Sequence, residues 1–453
     1  MLGTVEVPVW FLVLVLVFAA ITFASHFLFP SVRWYLRRRM ERVVAKLNTR
    51  LQRPIEPFRL ARRKDMVTRL AYDPKVLEAV ADHAAETGVP PTVAFAEAEA
   101  YAREIVPGFS ASIYFGIATR SARWLSRLLY RVRIGQVDQA LGAIDPKSTV
   151  VFVINHRSNM DYVLITWLVA DRTTLSYAVG EWARIWPLSR LVRAMGAFFI
   201  RRSSGSPLYR RVLARYVQIA TAEGTTQAMF PEGGLSLDGR VGAARMGLLH
   251  YILSGFDPAG RDVVFVPVGL AYDRVLEDRV LTEANAAGTR RFRARPMVIA
   301  AFVARLVWRR MRGRFAGFGT VAAGFGPPLS LQGWLADAPD RSTEALGADL
   351  MARIRMAVPV VPVPLVAAVL AAGPVTRADL ADRVAAMAAR LAAAGAVLRL
   401  PEDAAAAGLA PLLARGVVAE GAAGLIPAMP DLLAFYSAPV VQRLEDDAAT
   451  RQT

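Results

Sequence analysis

The chain has 453 residues, 54% of them hydrophobic, and it carries a net charge of +17 with no cysteine. The missing cysteine excludes disulfides, thiolate metal sites and thiol nucleophiles together, which is typical of a protein that works facing the cytoplasm. The length allows two or three domains, or one large domain with a membrane attachment, and the hydrophobic fraction favours contact with lipid.

The first predicted element is an uncharged segment over residues 7–32, long enough to span a bilayer as a helix. Glu6 is the only charged side chain before it and arginines follow it, so a cleaved signal peptide is disfavoured. The positive-inside rule then leaves the bulk of the chain in the cytoplasm. We predict a transmembrane anchor over 1–32 and an inner-membrane location, with an in-plane anchor or a segment packed on the soluble part as alternatives.

Two stretches hold much of the positive charge. Residues 33–69 contain thirteen Lys or Arg and three acids, and residues 290–314 contain nine Arg and no acid. The first stretch lacks regularly spaced aromatics that would stack on bases, so we expect it to meet anionic lipid and not nucleic acid. The second stretch fits lipid headgroups, an acidic acyl donor or a solvated basic face.

The sequence over residues 33–145 predicts a basic juxtamembrane and helical segment that precedes the next domain, with helices at 74–86 and 91–103. Short β-branched runs then alternate with longer amphipathic ones. This pattern predicts an α/β domain over 146–340, with a mostly parallel central sheet flanked by helices. The predicted strands are 149–154, 175–179, 197–200, 226–230 and 263–268.

Residues 341–453 predict a C-terminal helical module. Within it, residues 356–376 are uncharged and long enough for a second membrane span, but Pro359, Pro362 and Pro364 would interrupt such a helix. We therefore expect a buried connector that leads to small packed helices.

His156 and Asp161 form the most informative motif, because they stand five residues apart directly after the strand predicted at 149–154. Histidine accepts a proton near neutral pH, and a nearby carboxylate fixes its tautomer and stabilises the imidazolium. The pair predicts a catalytic base with its orienting partner. For the pair taken alone, a surface turn with an incidental His and Asp is the alternative.

Three further clusters follow or end predicted strands, and open α/β sheets bind ligands beyond the carboxyl ends of their strands. The second cluster ends in two arginines, which form forked hydrogen bonds to phosphate, and the third holds a carboxylate before glycines that let backbone N–H groups approach a ligand. The fourth, Val-Pro-Val-Gly over 266–269, is expected to form a pocket wall. The candidate binding residues of the second and third clusters are Arg201, Arg202, Glu232, Gly233 and Ser236.

In this order the clusters resemble the four blocks of the glycerolipid acyltransferases, the superfamily that acylates glycerol phosphates and lysophospholipids. His-x4-Asp is similar to the first block, Phe-Phe-Ile-Arg-Arg to the second, Phe-Pro-Glu-Gly to the third and Val-Pro-Val to the fourth. Arg157 and the later arginine pair look like the bacterial membrane-bound glycerol-3-phosphate acyltransferases. Segments 353–366 and 431–437 look like the C-terminal part of that branch.

The chain departs from that branch at one place. Where the branch shows Glu-Gly-Gly-Arg-Ser-Arg, this chain has Leu235 and Leu237 in place of both arginines. Two expected phosphate-facing cations are therefore missing, while Arg240 and Arg245 stand nearby.

The resemblance implies a membrane-bound O-acyltransferase for the first step of phospholipid synthesis, with no bound cofactor. It would move a fatty acyl group from acyl-CoA or acyl carrier protein to a hydroxyl of glycerol 3-phosphate. His156 would take the proton of the acceptor hydroxyl and Asp161 would orient the imidazole. The residues that the resemblance assigns to substrate binding are Arg157, Arg201, Arg202, Glu232, Gly233 and Ser236.

Other acceptors stay open, namely lysophosphatidate, dihydroxyacetone phosphate or another lysolipid. A catalytically silent membrane scaffold that binds lipid is an alternative of a different class, and the intact His156, Asp161 and Glu232 disfavour it. The expected partners are membrane lipids, the acyl donor and the glycerol phosphate acceptor, without nucleic acid. No metal is implied, because a single histidine and scattered acids lack ligand spacing.

Overall fold

The structure, a computed structural model, divides the chain into two compact units, Met1–Ile55 and Glu56–Thr453. It describes residues 8–23, 35, 38, 42, 44–135, 137–180, 188–201, 205–289, 304–305, 308–313, 317–338, 340–422 and 424–452.

The first unit contains helix α1, Val9–Phe23, an uncharged helix whose side chains are exposed. Among the described residues, we find no helix with both the length and the apolar character needed to cross a membrane. The anchor predicted over 1–32 includes α1, and its parts at 1–7 and 24–32 lie outside the described residues.

A mostly parallel sheet forms the centre of the second unit, as predicted. In the described part of the chain it has eight strands, in the order β1-β7-β6-β2-β5-β3-β4 with β8 beside β6. Only β7 and β8 run antiparallel to their neighbour β6. The strands are β1 (Arg131–Ile134), β2 (Thr149–Ile154), β3 (Ser176–Val179), β4 (Phe198–Phe199), β5 (Gln227–Met229), β6 (Val263–Tyr272), β7 (Thr320–Phe325) and β8 (Leu329–Ser330).

All five predicted strands are present, and β6 runs four residues beyond its predicted end. Strands β2 and β6 are buried at every position, which explains their continuous apolar sequence. Successive residues face opposite sides of a sheet, so Phe152 and Val266 contribute to one core and Val151 and Phe265 to the other.

Helices cover both faces of this sheet. The helices that follow α1 are α2 (Pro57–Leu60), α3 (Arg63–Ala71), α4 (Pro74–Thr87), α5 (Pro91–Ile105), α6 (Thr119–Leu129), α7 (Val137–Gly142), α8 (Met160–Val169), α9 (Leu188–Ala194), α10 (Pro207–Ala222), α11 (Met246–Ser254), α12 (Asp278–Ala286), α13 (Leu331–Asp337), α14 (Thr343–Ala357), α15 (Pro362–Ala371), α16 (Leu380–Ala393), α17 (Ala404–Ala414) and α18 (Pro430–Gln452). A π-helical segment, Ser112–Ala118, precedes α6.

The uncharged segment predicted as a buried connector contains α15, which is buried from Pro362 to Leu370. Its prolines do not break it, because Pro362 and Pro364 stand in the first turn, where no backbone N–H is needed for the helix. Helices α16, α17 and α18 pack on α15, and a small antiparallel hairpin of β9 (Val418–Gly421) and β10 (Gly424–Pro427) follows α17. The domain boundaries drawn from the sequence stay a prediction.

Candidate active site

The site begins where β2 ends, at the carboxyl edge of the sheet. Asn155 follows the strand, and its side-chain amide bonds both backbone groups of Leu270: Nδ2 donates to the carbonyl at 3.0 Å and Oδ1 accepts from the N–H at 2.7 Å. This pair continues the contact between β2 and β6 by one residue. The backbone that leads into His156 is therefore tied to the sheet.

His156 and Asp161 form a buried hydrogen-bonded pair, as the spacing predicted. The imidazole Nδ1 lies 2.9 Å from Asp161 Oδ2, and His156 is only 2% exposed. Asp161 stands in the first turn of α8, where the N-terminal end of the helix favours a negative charge. With Nδ1–H donated to the carboxylate, Nε2 carries the lone pair that accepts a proton.

Three further donors hold the Asp161 carboxylate. Its Oδ2 accepts from the N–H groups of Arg157 at 2.7 Å and Ser158 at 3.0 Å, and its Oδ1 accepts from the Tyr272 hydroxyl at 2.5 Å. A buried carboxylate requires such partners, since it has lost its water. These bonds fix the position of the carboxylate that orients the imidazole.

Aromatic rings set the plane of the imidazole. Phe230 stacks on the His156 ring at 4.3 Å between centroids, and Tyr162 meets it edge-on at 5.4 Å. Within the described residues, Nε2 has no hydrogen-bond partner.

Glu232 holds the backbone of His156. One carboxylate oxygen accepts the N–H of His156 at 2.9 Å and the other accepts the N–H of Gly242 at 3.2 Å. The carbonyl of His156 accepts the N–H of Ser236 at 2.9 Å, so both peptide groups beside His156 are bonded to this turn. Burial raises the pKa of the Glu232 carboxyl, against the effect of its two backbone donors.

Ser236 and Gly233 shape that turn. The Ser236 hydroxyl donates to the Arg240 carbonyl at 2.7 Å and accepts the N–H of Gly239 at 3.1 Å. Gly233 has φ of 69°, a left-handed conformation that favours glycine, and a Cβ there would lie 2.4 Å from Cδ of Arg245. The contacts of both residues are within the protein, and their predicted contact with substrate stays a prediction.

Arg157 is also engaged within the protein. Its guanidinium donates to the carbonyl of Gly239 and lies 4.5 Å from the ring centre of Phe435. Burial lowers its pKa. These are the contacts of a residue that holds a turn in place, and its predicted binding of a phosphate is untested.

The structure does not bring Arg201 to His156. Arg201 forms two bonds to Glu104, of 2.9 and 2.6 Å, and follows β4, three strands away from β2. Three strand spacings correspond to about 14 Å. Arg202 lies outside the described residues.

Comparison with known proteins matches the region of this site. Residues 137–271 match the family model described as Acyltransferase. This chain carries an acyltransferase domain. Residues 306–428 match the model described as Glycerol-3-phosphate acyltransferase C-terminal region, so the resemblance found in the sequence is confirmed.

Several relatives are named glycerol-3-phosphate acyltransferase. Those from Pseudomonas putida (strain GB-1) and Shewanella sp. (strain ANA-3) are 31% and 30% identical over 61% and 66% of this chain, and 33% and 37% of their own. The chain thus spans about a third of the length of the curated relatives it matches. The solved structure of the 1-acyl-sn-glycerophosphate (LPA) acyltransferase from Thermotoga maritima is 18% identical in sequence and covers 52% of this chain and 78% of that one. Its TM-score of 0.31 is too low to support an argument about this chain.

Two residues that contact the segment from His156 to Asp161 were not predicted from the sequence. The position of Tyr272 could have been predicted from the sequence. Val266, Val268 and Leu270 alternate along one face of β6, and Tyr272 is the next residue on that face. No such pattern in the sequence predicts Glu277, which accepts bonds from the Ser158 hydroxyl at 2.8 Å and from the Asn159 backbone at 3.2 Å across the fold. Burial raises its pKa.

Proposed function

We propose that this chain transfers a fatty acyl group from acyl-CoA or acyl carrier protein to a hydroxyl of glycerol 3-phosphate, the first step of phospholipid synthesis. The observation that carries the proposal is the buried pair of His156 and Asp161, with Nε2 unbonded among the described residues, inside the acyltransferase domain. The name shared by the relatives supports the choice of acceptor.

In the proposed reaction, Nε2 of His156 removes the proton of the acceptor hydroxyl as its oxygen attacks the thioester carbonyl. The new C–O bond gives a tetrahedral oxyanion, which collapses by breaking the C–S bond. The leaving thiolate takes the proton from the imidazolium, while Asp161 stabilises that cation through Nδ1. No covalent enzyme intermediate is needed, because a thioester is already activated.

We assign the acceptor phosphate to Arg245. Its exposed side chain crosses Gly233, directly after Glu232, and no described residue pairs with its guanidinium. Among the described residues, the other predicted or neighbouring cations are already engaged: Arg157 with Gly239, Arg201 with Glu104 and Arg240 with Glu445. Arginine suits this role because its fork matches phosphate oxygens.

We further propose that the chain works at the cytoplasmic face of the inner membrane, attached through residues 1–32. A surface on the second unit supports contact with anionic lipid. Residues 111–135 hold five arginines and no acid, and Ile117 and Trp124 are 61% and 65% exposed at helical spacing with the exposed Arg120. Exposed aromatics among arginines are typical of an interfacial helix.

The test is an acceptor series. The purified full chain in mixed micelles receives labelled palmitoyl-CoA or palmitoyl carrier protein and, in parallel, glycerol 3-phosphate, lysophosphatidate or dihydroxyacetone phosphate. We expect glycerol 3-phosphate to give a monoacyl product with the highest kcat/KM. A higher kcat/KM for another acceptor would reassign the substrate, and lipid binding without turnover on any acceptor would favour the scaffold.

A further inference from the structure

The last helix of the chain reaches the turn that holds His156. The Gln442 side chain forms two hydrogen bonds to Val241, accepting its N–H at 2.9 Å and donating to its carbonyl at 3.0 Å. Glu445 pairs with the neighbouring Arg240. Phe435 on the same helix lies under the Arg157 guanidinium. Positions 435, 442 and 445 of α18 fall on one side of a helix, so one face of α18 makes all three contacts.

The turn and the helix are fitted closely to each other. Gly239 has φ of 89°, and a Cβ at this position would lie 2.0 Å from the carbonyl oxygen of Phe435. The carbonyl of Gly239 in turn accepts the bond from Arg157. A side chain at 239 would push the turn and α18 apart, so the close approach requires glycine.

The turn also bonds to the backbone of His156, the proposed base, and so connects α18 to it. Ser236 donates its N–H to the carbonyl of His156, and Gly242 donates to the Glu232 carboxylate that accepts the N–H of His156. The contacts of Phe435, Gln442 and Glu445 therefore fall on segment 236–242 or on Arg157. That segment is bonded to His156 and to Glu232, and Arg157 directly follows His156 in the chain.

We propose that α18 is a positioning element of the active site: through Gln442 and Glu445 it holds segment 236–242, which fixes Glu232 and His156. This inference rests on the proposed acyl transfer for its kinetic consequence. It gives the C-terminal module a role in catalysis that acts through the contacts of α18 with the turn. Loss of the Gln442 contacts leaves the base present but poorly placed, and a misplaced catalytic group lowers kcat more than it changes substrate binding.

The test compares two alanine variants on the same helix. Gln442→Ala removes both bonds to Val241, whereas Asp446→Ala removes the 2.8 Å bond to Arg355 of α14 and leaves both bonds to Val241 in place. We expect Gln442→Ala to lower kcat roughly tenfold with little change in KM for glycerol 3-phosphate, and Asp446→Ala to stay within about twofold of wild type. Gln442→Glu keeps the acceptor for the Val241 N–H, and we expect it to recover part of the lost rate.

Hydrogen–deuterium exchange of the full-length chain gives a readout that needs no turnover. Backbone amides of 236–242 should exchange faster in Gln442→Ala than in wild type and Asp446→Ala. Wild-type kcat in Gln442→Ala, or equal exchange of this segment in all three proteins, would overturn the inference. If wild type acylates no acceptor but the segment still exchanges faster in Gln442→Ala, the proposed function fails and the structural coupling stands.

Discussion

Replacing Tyr272 with Phe removes a single hydroxyl, the one that donates to Asp161 Oδ1 at 2.5 Å. The ring keeps its place in the core, beside Tyr130 at 5.6 Å. Asp161 then retains three of its four donors and is less firmly held. A hydrogen bond to a charged group contributes about 1.5–3 kcal/mol. If all of this free energy is lost from the transition state, kcat falls by about ten- to a hundredfold.

The assay is initial velocity with glycerol 3-phosphate and labelled acyl-CoA, measured across pH. Tyr130→Phe is the matched control, because it removes a neighbouring buried hydroxyl whose bond goes to the Arg274 carbonyl and not to Asp161. We expect Tyr272→Phe to lose rate and Tyr130→Phe to lose only stability. Equal kcat in Tyr272→Phe and wild type, or an equal loss in both variants, would refute the role assigned to Tyr272.

Three further predictions follow from single residues. Arg245→Ala should raise KM for glycerol 3-phosphate about tenfold or more at unchanged kcat, with partial recovery in Arg245→Lys; an unchanged KM would remove Arg245 from the acceptor site. Burial raises the pKa of Asp273 from 3.8 to about 6, so the folded state holds the extra proton between these values and loses stability as pH rises through them. The free energy of unfolding, from urea denaturation, should therefore fall by about 2 kcal/mol relative to Asp273→Asn between about pH 4 and pH 6, and a constant difference would contradict it. Trp124→Glu should weaken sedimentation with anionic vesicles but not alter kcat in detergent, and equal vesicle binding would rule out this surface.

The strands and the buried pair of His156 and Asp161 could be predicted from the sequence because their signals are local. Strand β2 is a run of β-branched and aromatic residues, and a polar turn with a histidine directly follows it. The five-residue spacing brings Asp161 back to His156 once α8 begins at Met160. The alternation of apolar residues along β6, followed beyond the predicted end of the strand, would also have predicted the position of Tyr272.

The contacts of the arginines were beyond reach because their partners lie far along the chain. Arg201 meets Glu104, 97 residues away, and Arg157 lies over Phe435. The sequence does not show whether a long cationic side chain faces a ligand, a carboxylate or an aromatic ring. Only the positions of α5 and α18 in the folded chain decide which of these it meets.

The central claim, that His156 is the base of an acyl transfer, is tested most directly by His156→Ala. His250→Ala is the control, since His250 is an exposed histidine bonded to Thr343 on a different part of the fold. With labelled acyl-CoA and glycerol 3-phosphate, we expect wild type and His250→Ala to form the monoacyl product. His156→Ala should form none while keeping the wild-type circular dichroism spectrum. Retained turnover in a folded His156→Ala protein would contradict the account.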